Sequence, residues 1–318
     1  MRRKVHRRTA LALVGMGLAG AGAPLPAQET ERRRPEGGIG GTGIVGTLTD
    51  FGSLIVNGMA IETPSPTVTD AFGARSLDSL AIGHSLTIEA RRTETAGLVA
   101  ERVHLTQPVI GTVGFATPDG RSGVVDGVPV VLEPGAEGLL RPRARVAISG
   151  LWRGREVVAS RVDAVPDGLD VLAGVVETRA AGTMVVSGRQ VVLDGLDAPA
   201  PGAFVTVIGR TTGLVLEARG LREGRFFGSA GPLVSLSVEG YLQPRAGAPF
   251  FAVSGLGHSF DAAAMLNPFV GMRTLFDGGY DGTFRVETGI LLPDNLTERR
   301  AIGAQLLAGA EVPIRPAR

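Results

Sequence analysis

The residues with the most chemical potential stand close together in the middle of the chain. Arg143 and Arg145, then Trp152, Arg153 and Arg155, follow Arg141 within one short stretch. Side chains two apart on a strand share a face, which sets Arg143 and Arg145 together, opposite Val146 and Ile148. Guanidinium groups bridge carboxylate or phosphate pairs through two donors at once. An indole in the next turn can stack on a sugar or base, as small barrels do when they bind oligosaccharides or oligonucleotides. Arg143, Arg145, Trp152, Arg153 and Arg155 are therefore the candidate ligand-binding residues, suited to an anionic polysaccharide. The competing reading is a solvated strand face with Trp152 capping a barrel. It is the favoured one, because scattered surface arginine is ordinary.

Other constellations fall short of chemistry. Gly257-His258-Ser259-Phe260-Asp261 approaches the G-x-S-x-G nucleophile elbow, which gives an alternative reading as a hydrolase with a site around His258 and Ser259. The last glycine is replaced by Asp261, and the elbow needs a strand-to-helix turn in a parallel sheet. His84, His104 and His258 lack metal-ligand spacing. Asp277-Gly278-Gly279-Tyr280-Asp281-Gly282 lacks the alternating carboxylates of a Ca²⁺ loop and reads as turns. Gly38-Ile39-Gly40-Gly41-Thr42-Gly43 fits a dinucleotide fingerprint in letters only, since a strand and not a helix follows it. The absence of cysteine excludes disulfides, thiolate metal sites and a cysteine nucleophile. The expected cofactor content is none.

The elements that must carry these residues form a repeat. Val45-Gly46-Thr47-Leu48 returns as Ile110-Gly111-Thr112-Val113, as Ala173-Gly174-Val175-Val176 and, more weakly, as Glu239-Gly240-Tyr241-Leu242. The glycines recur at a period of roughly 65 residues, the signature of an array of similar units. A second piece is sharper: Val56-Asn57-Gly58, Val125-Asp126-Gly127, Val186-Ser187-Gly188 and Val253-Ser254-Gly255. Such pairs supply the positive φ angles of a two-residue type I′ hairpin turn. A third piece alternates, as in Leu86-Thr87-Ile88, Val146-Ala147-Ile148 and Val205-Thr206-Val207, and reads as a half-buried strand. Its fourth copy, Gly271-Met272-Arg273-Thr274-Leu275-Phe276, is out of phase. A last piece pairs apolar residues with arginine, as in Val99-Ala100-Glu101-Arg102-Val103 and Val158-Ala159-Ser160-Arg161-Val162.

About five short strands per unit and no room for a long helix predict an all-β chain of tandem small OB-like β-barrels, the fourth divergent. One unit alone is too small to be very stable, so neighbouring units are expected to pack together. The stretches Gly37 to Ile44 and Phe51-Gly52-Ser53-Leu54-Ile55-Val56-Asn57-Gly58 resemble an exported bacterial repeat family, catalogued as a domain of unknown function, with small β-barrel units. The resemblance implies a fold and an address. It brings no catalytic residues.

The order along the chain is then 1–27 as export signal, 28–42 as flexible linker, 43–107, 108–168 and 169–222 as repeats, and 223–318 as a divergent fourth repeat with a tail. Residues 1–27 combine a basic start, a short Gly-softened apolar core and a small-residue cut site before Gln28. Arg7-Arg8 also resembles a twin-arginine signal, so the route is open. The core is too short to span a membrane convincingly. The chain has 32 Lys and Arg and 31 Asp and Glu, and the leader holds five of the basic residues and none of the acidic. The remainder is net −4, which argues against nucleic acid. Phenylalanine concentrates after Arg225, and residues Leu296 to Leu307 suit one helix capped by Asp294 or Asn295. The expected function is an exported, non-enzymatic binding or scaffolding module of the periplasm or secreted fraction. Its expected partner is an envelope protein or an anionic polysaccharide.

Overall fold

Four times the chain spends its apolar and β-branched residues on the same five-stranded ring, in a computed structural model that describes residues 40–94, 97–244, 251–253, 259–260 and 269–308. Barrel 1 contains β1 (Gly41–Asp50), β2 (Leu54–Val56) and β3 (Met59–Glu62). A hairpin of β4 (Thr67–Asp70) and β5 (Gly73–Ala74) follows, before β6 (Ser85–Thr93) and β7 (Gly97–Leu105) complete it. Barrel 2 is β8 (Val109–Ala116), β9 (Ser122–Val125), β10 (Val128–Glu137), β11 (Arg145–Arg153) and β12 (Glu156–Ala164). Barrel 3 is β13 (Asp170–Ala180), β14 (Thr183–Val186), β15 (Arg189–Leu193), β16 (Phe204–Thr212) and β17 (Val215–Glu223). Barrel 4 is β18 (Leu233–Pro244), β19 (Phe251–Val253), β20 (Ser259–Phe260), β21 (Arg273–Tyr280) and β22 (Phe284–Leu291), and helix α1 (Leu296–Leu307) follows it.

In barrel 1 the first strand pairs with the second, the second with the third, the third runs parallel to the last, and the fourth closes on the first. Barrels 2 and 3 repeat this order. So does barrel 4, where β20 meets β22 through Phe260 and Phe284. This is a small closed barrel of the OB type, and the chain is all-β apart from one α-helix among the described residues. No helix there is long and apolar enough to cross a membrane.

The two sharpest sequence signals prove to be one contact. Asn57 and Gly58, Asp126 and Gly127, and Ser187 and Gly188 all have positive φ, as type I′ turns require. The fourth turn, Ser254-Gly255, lies outside the described residues. Each polar turn residue folds back onto the first strand of its barrel. Asn57 Nδ2 donates to Val45 O at 3.1 Å, Asp126 Oδ1 accepts from Thr112 N at 3.1 Å, and Ser187 Oγ accepts from Val175 N at 3.1 Å. A Cβ on Gly46, Gly111 or Gly174 would overlap that same turn side chain. The repeated glycine is the seat of the repeated turn.

Gly58→Val and Gly127→Val are therefore expected to cost on the order of 1–3 kcal/mol each, because β-branched residues tolerate positive φ badly. Urea unfolding measures it, and unchanged midpoints for both would contradict the turn assignment.

The units do not form an open row in which each touches only its sequence neighbours. β8 and β13 join barrels 2 and 3 edge to edge through Ile110↔Val171 and Val109↔Leu172, and the two share one apolar cluster. Barrel 4 instead returns to barrel 1, where β18 runs parallel to β1 from Gly41↔Leu233 to Val45↔Val238. Phe227, on the segment between β17 and β18, packs against His104 of barrel 1 and under the guanidinium groups of Arg102 and Arg222.

The strands expected to be half-buried are buried on both faces, with Thr87, Ala147 and Thr206 as enclosed as their apolar neighbours, and the out-of-phase copy in repeat 4 shares this burial. Arg273, Thr274, Leu275 and Phe276 are all buried, because β21 faces the barrel interior on one side and other units on the other. Arg273 ends in a dry ionic cluster that ties three units together. Its Nη2 lies 2.8 Å from Glu133 Oε2 of β10 and its Nη1 2.6 Å from Glu239 Oε1 of β18. Arg299 of α1 meets Glu133 Oε1 at 2.6 Å and Glu239 Oε1 at 3.2 Å. Glu239 Oε2 also accepts the N–H of Thr47 of β1 at 2.7 Å. Asn295 caps the helix, its Oδ1 accepting from Thr297 N and Glu298 N.

Candidate functional site

Barrel 1 differs from the next two in one connection. Residues 63–84 lie between its third and fourth strands, against 138–144 and 194–203 in barrels 2 and 3. The extra length builds the β4–β5 hairpin, and β4 lies parallel to the end of β7 through Thr67↔Arg102, Val68↔Val103 and Thr69↔His104. Asp70 Oδ1 shapes the tip by accepting from Phe72 N at 2.8 Å and Gly73 N at 3.1 Å, which leaves Phe72 exposed. Across from the hairpin stand the end of β12 and the loop 165–169 that leads into barrel 3. Between them is a cleft of about 520 Å³, within the range of small-molecule sites.

Its walls are largely apolar, with Leu105, Ile110 and Val165 among the lining residues, and its polar groups are mostly committed to one another. His84 is buried, and its Nδ1 accepts the N–H of Ala81 at 3.0 Å. Nε2 therefore carries the proton and donates to Asp163 Oδ2 at 2.9 Å. Arg161 Nε donates to Asp163 Oδ1 at 2.7 Å, and Nη1 to Ile82 O at 3.2 Å. Burial works against ionisation of Asp163. The hydrogen bond from His84 and the charge of Arg161 outweigh it and hold the carboxyl below its usual range. With both ring nitrogens engaged, His84 has no lone pair left to act as a base. Among the described residues no three His, Asp or Glu side chains converge as metal ligands.

Gln107, between β7 and β8, is 8% exposed and lines the cleft. Its Oε1 is buried and has no hydrogen-bond partner. Thr47 Oγ1 and Ser149 Oγ are buried in the same way, and with almost no accessible surface Gln107 Oε1 lies behind the wall of the cleft, out of reach of a ligand in it.

The residues singled out from the sequence do not form one face. Arg143 is not on a strand: it sits in the turn before β11 with φ 67°. Arg145 is spent on structure, its Nε donating to Pro166 O, Nη2 to Leu169 O and Nη1 to Asp170, and in doing so it holds the loop at the back of the cleft. Trp152 is 3% exposed, and its Nε1 donates to Ala173 O of barrel 3 at 2.8 Å. It joins two barrels and has no free face for a sugar or base to stack on. Arg153 pairs with Glu156 and Asp294 beside the Tyr241 ring, and Arg155 pairs with Glu177. Alternation of faces suggested a shared surface, but the strand begins two residues later than that surface required. His258 lies outside the described residues. Missed from the sequence was the β4–β5 hairpin, although the length of 63–84 was a visible signal.

No protein-family model, curated protein or solved structure matches the chain. The functional reading therefore stands on the geometry above and on the sequence.

Proposed function

We propose that this chain is an exported, non-enzymatic binding module of the cell envelope, and that it holds a small ligand in the cleft between barrels 1 and 2. Export is supported by the order of residues 1–27, basic and then apolar and then small. Binding is supported above all by the cleft itself, about 520 Å³ with a largely apolar wall and the exposed Phe72 in its lining. A catalytic role finds little support there, since His84 and Asp163 are locked to each other and to their neighbours.

The test is native mass spectrometry of the full chain purified from its natural host. A non-covalent small molecule is expected on the parent and absent from Ala164→Trp, which puts an indole into the cleft from an exposed position at the end of β12. A bare mass for the parent, or the same adduct on the variant, would overturn the reading.

A further inference from the structure

The charges that line the cleft are, with one exception, committed to one another. Arg75 Nη1 meets Asp70 Oδ2 at 3.3 Å. Arg161 and His84 both donate to Asp163. Arg145 is bound to Asp170 and to the carbonyls of Pro166 and Leu169, and Asp170 also accepts from Thr211 N at 2.7 Å. Asp167 is the one lining charge outside these pairs among the described residues. It is exposed, where water screens it.

The rest of the lining is largely apolar, and part of it belongs to no barrel core. Ile110, Ala147 and Val171 make a separate buried cluster, on which Ala71, Val165 and Ile208 pack. These six come from barrels 1, 2 and 3 and the loop 165–169. Ile110 and Val165 bring that cluster to the wall of the cleft, beside Leu105. Phe72, near the tip of the β4–β5 hairpin, lines the cleft as well and is 53% exposed. A ligand that covers this ring and the wall together removes apolar area from water on both.

We infer that the cleft takes a small uncharged molecule with an apolar body, and that it rejects acids and amines of the same skeleton. Resting on the reading of the chain as a binding module, this names the class of its ligand. The reason is the state of the charges. A carboxylate entering the cleft would lose its water and find no guanidinium free of an aspartate. An ammonium would find only the solvated Asp167. Burying a charge without a partner is costly. Affinity then comes from apolar area, with a negative heat-capacity change and little dependence on salt.

The experiment is calorimetric titration of the full chain with 1-octanol, octanoate and octylammonium, which share one chain and differ in the charge of the head. 1-Octanol is expected to bind at one site, at least about tenfold tighter than either ion, with an affinity that added salt leaves unchanged. Ala164→Trp should abolish that binding. Asp70→Asn tests the pairing itself. Asparagine keeps the Oδ1 that accepts from Phe72 N and Gly73 N, but withdraws the charge facing Arg75, whose side chain is 43% exposed. The released guanidinium should raise the affinity for octanoate relative to 1-octanol by at least about threefold. Unchanged urea midpoints verify that both variants fold. The inference is overturned if 1-octanol does not bind, if either ion binds as tightly, if Ala164→Trp binds 1-octanol as the parent does, or if Asp70→Asn keeps the parent's margin between 1-octanol and octanoate. A charged small molecule found on the parent by native mass spectrometry, and absent from Ala164→Trp, would refute the ligand class and leave the binding module standing. A bare mass together with no binding of 1-octanol would remove both.

Discussion

Arg273→Met is expected to destabilise the protein by about 3–5 kcal/mol, the cost of leaving buried charges without their partner. Arg273 has no exposed side-chain surface and meets Glu133 and Glu239, whose side chains are at most 2% exposed, and Asp294. Methionine fills a similar length of space but supplies no charge. Two carboxylates would then share Arg299 alone, inside a site that water does not reach. The loss is not local, because Glu133 belongs to barrel 2, Glu239 to barrel 4 and Arg299 to the helix. The companion variant Arg273→Met/Glu239→Gln should recover part of the stability by removing one stranded charge. Urea unfolding of the three proteins measures both effects. A single variant within about 0.5 kcal/mol of the parent would show that the cluster is not dry.

Acid is expected to weaken the protein in two overlapping stages. His104 is buried beside Phe227 and Arg102, with Thr69 on its Nδ1. Burial, reinforced by the charges of Arg222, Arg225 and Arg102, pushes its pKa down to about 3. The unfolded chain takes up that proton near pH 6.5. The stability that the neutral ring contributes is therefore complete above pH 6.5 and is lost as the pH falls towards 3, by a few kcal/mol at most. Glu239 follows. Burial opposes its charge, but Arg299 and Arg273 prevail and hold it at about 2. Its contribution is present above about pH 4.5 and is lost as the pH falls towards 2. Urea midpoints between pH 8 and 3 should decline from near 6.5 downward in the parent. His104→Phe should stay level down to about pH 5, where ordinary carboxylates begin to titrate. An equally early decline in that variant would assign the first stage elsewhere.

Much of the architecture was legible because the signals are local. Asn57-Gly58 and Asp126-Gly127 state their turn geometry in two letters, and Gly46 and Gly111 mark the strand each turn leans on. In Leu86-Thr87-Ile88 the apolar pair turns to the core of barrel 1, but the strand is not half-buried as its alternation suggested: Thr87 is 1% exposed and bonded to Thr106. Burial on both faces is common to the alternating copies and to Arg273-Thr274-Leu275-Phe276, and what sets the last apart is the charged side chain it buries among Glu133 and Glu239. The site was hardly legible at all. Trp152 and Arg145 looked available because sequence shows residue type and not what a residue has already bonded to, and here Ala173 and Asp170 had claimed them from the next barrel. Glu133 and Arg299 meet across 166 residues of chain, a relation that no window on the sequence contains.

The parallel pairing of β1 with β18 has a consequence for history and for assembly. In a solenoid each unit offers its neighbour a fresh surface, and the number of units can drift by duplication or loss. Here the outer edge of the first strand is covered from far along the chain, with Thr42 bonded to Ser235 193 residues away. A ring of this kind counts its members. A fifth unit inserted between barrels 3 and 4 would have to leave that clasp where it is, and removing one would pull the clasp apart. The same clasp fixes an order of events during folding. Each hairpin can form as soon as its own turn exists, whereas the edge of β1 waits for nearly the whole chain, and long loop closures of this kind are slow. Until then it is an open strand edge, a template for joining another molecule. The last barrel is in this sense the first one's chaperone, and the molecule becomes safe to concentrate only when barrels 1 and 4 have met.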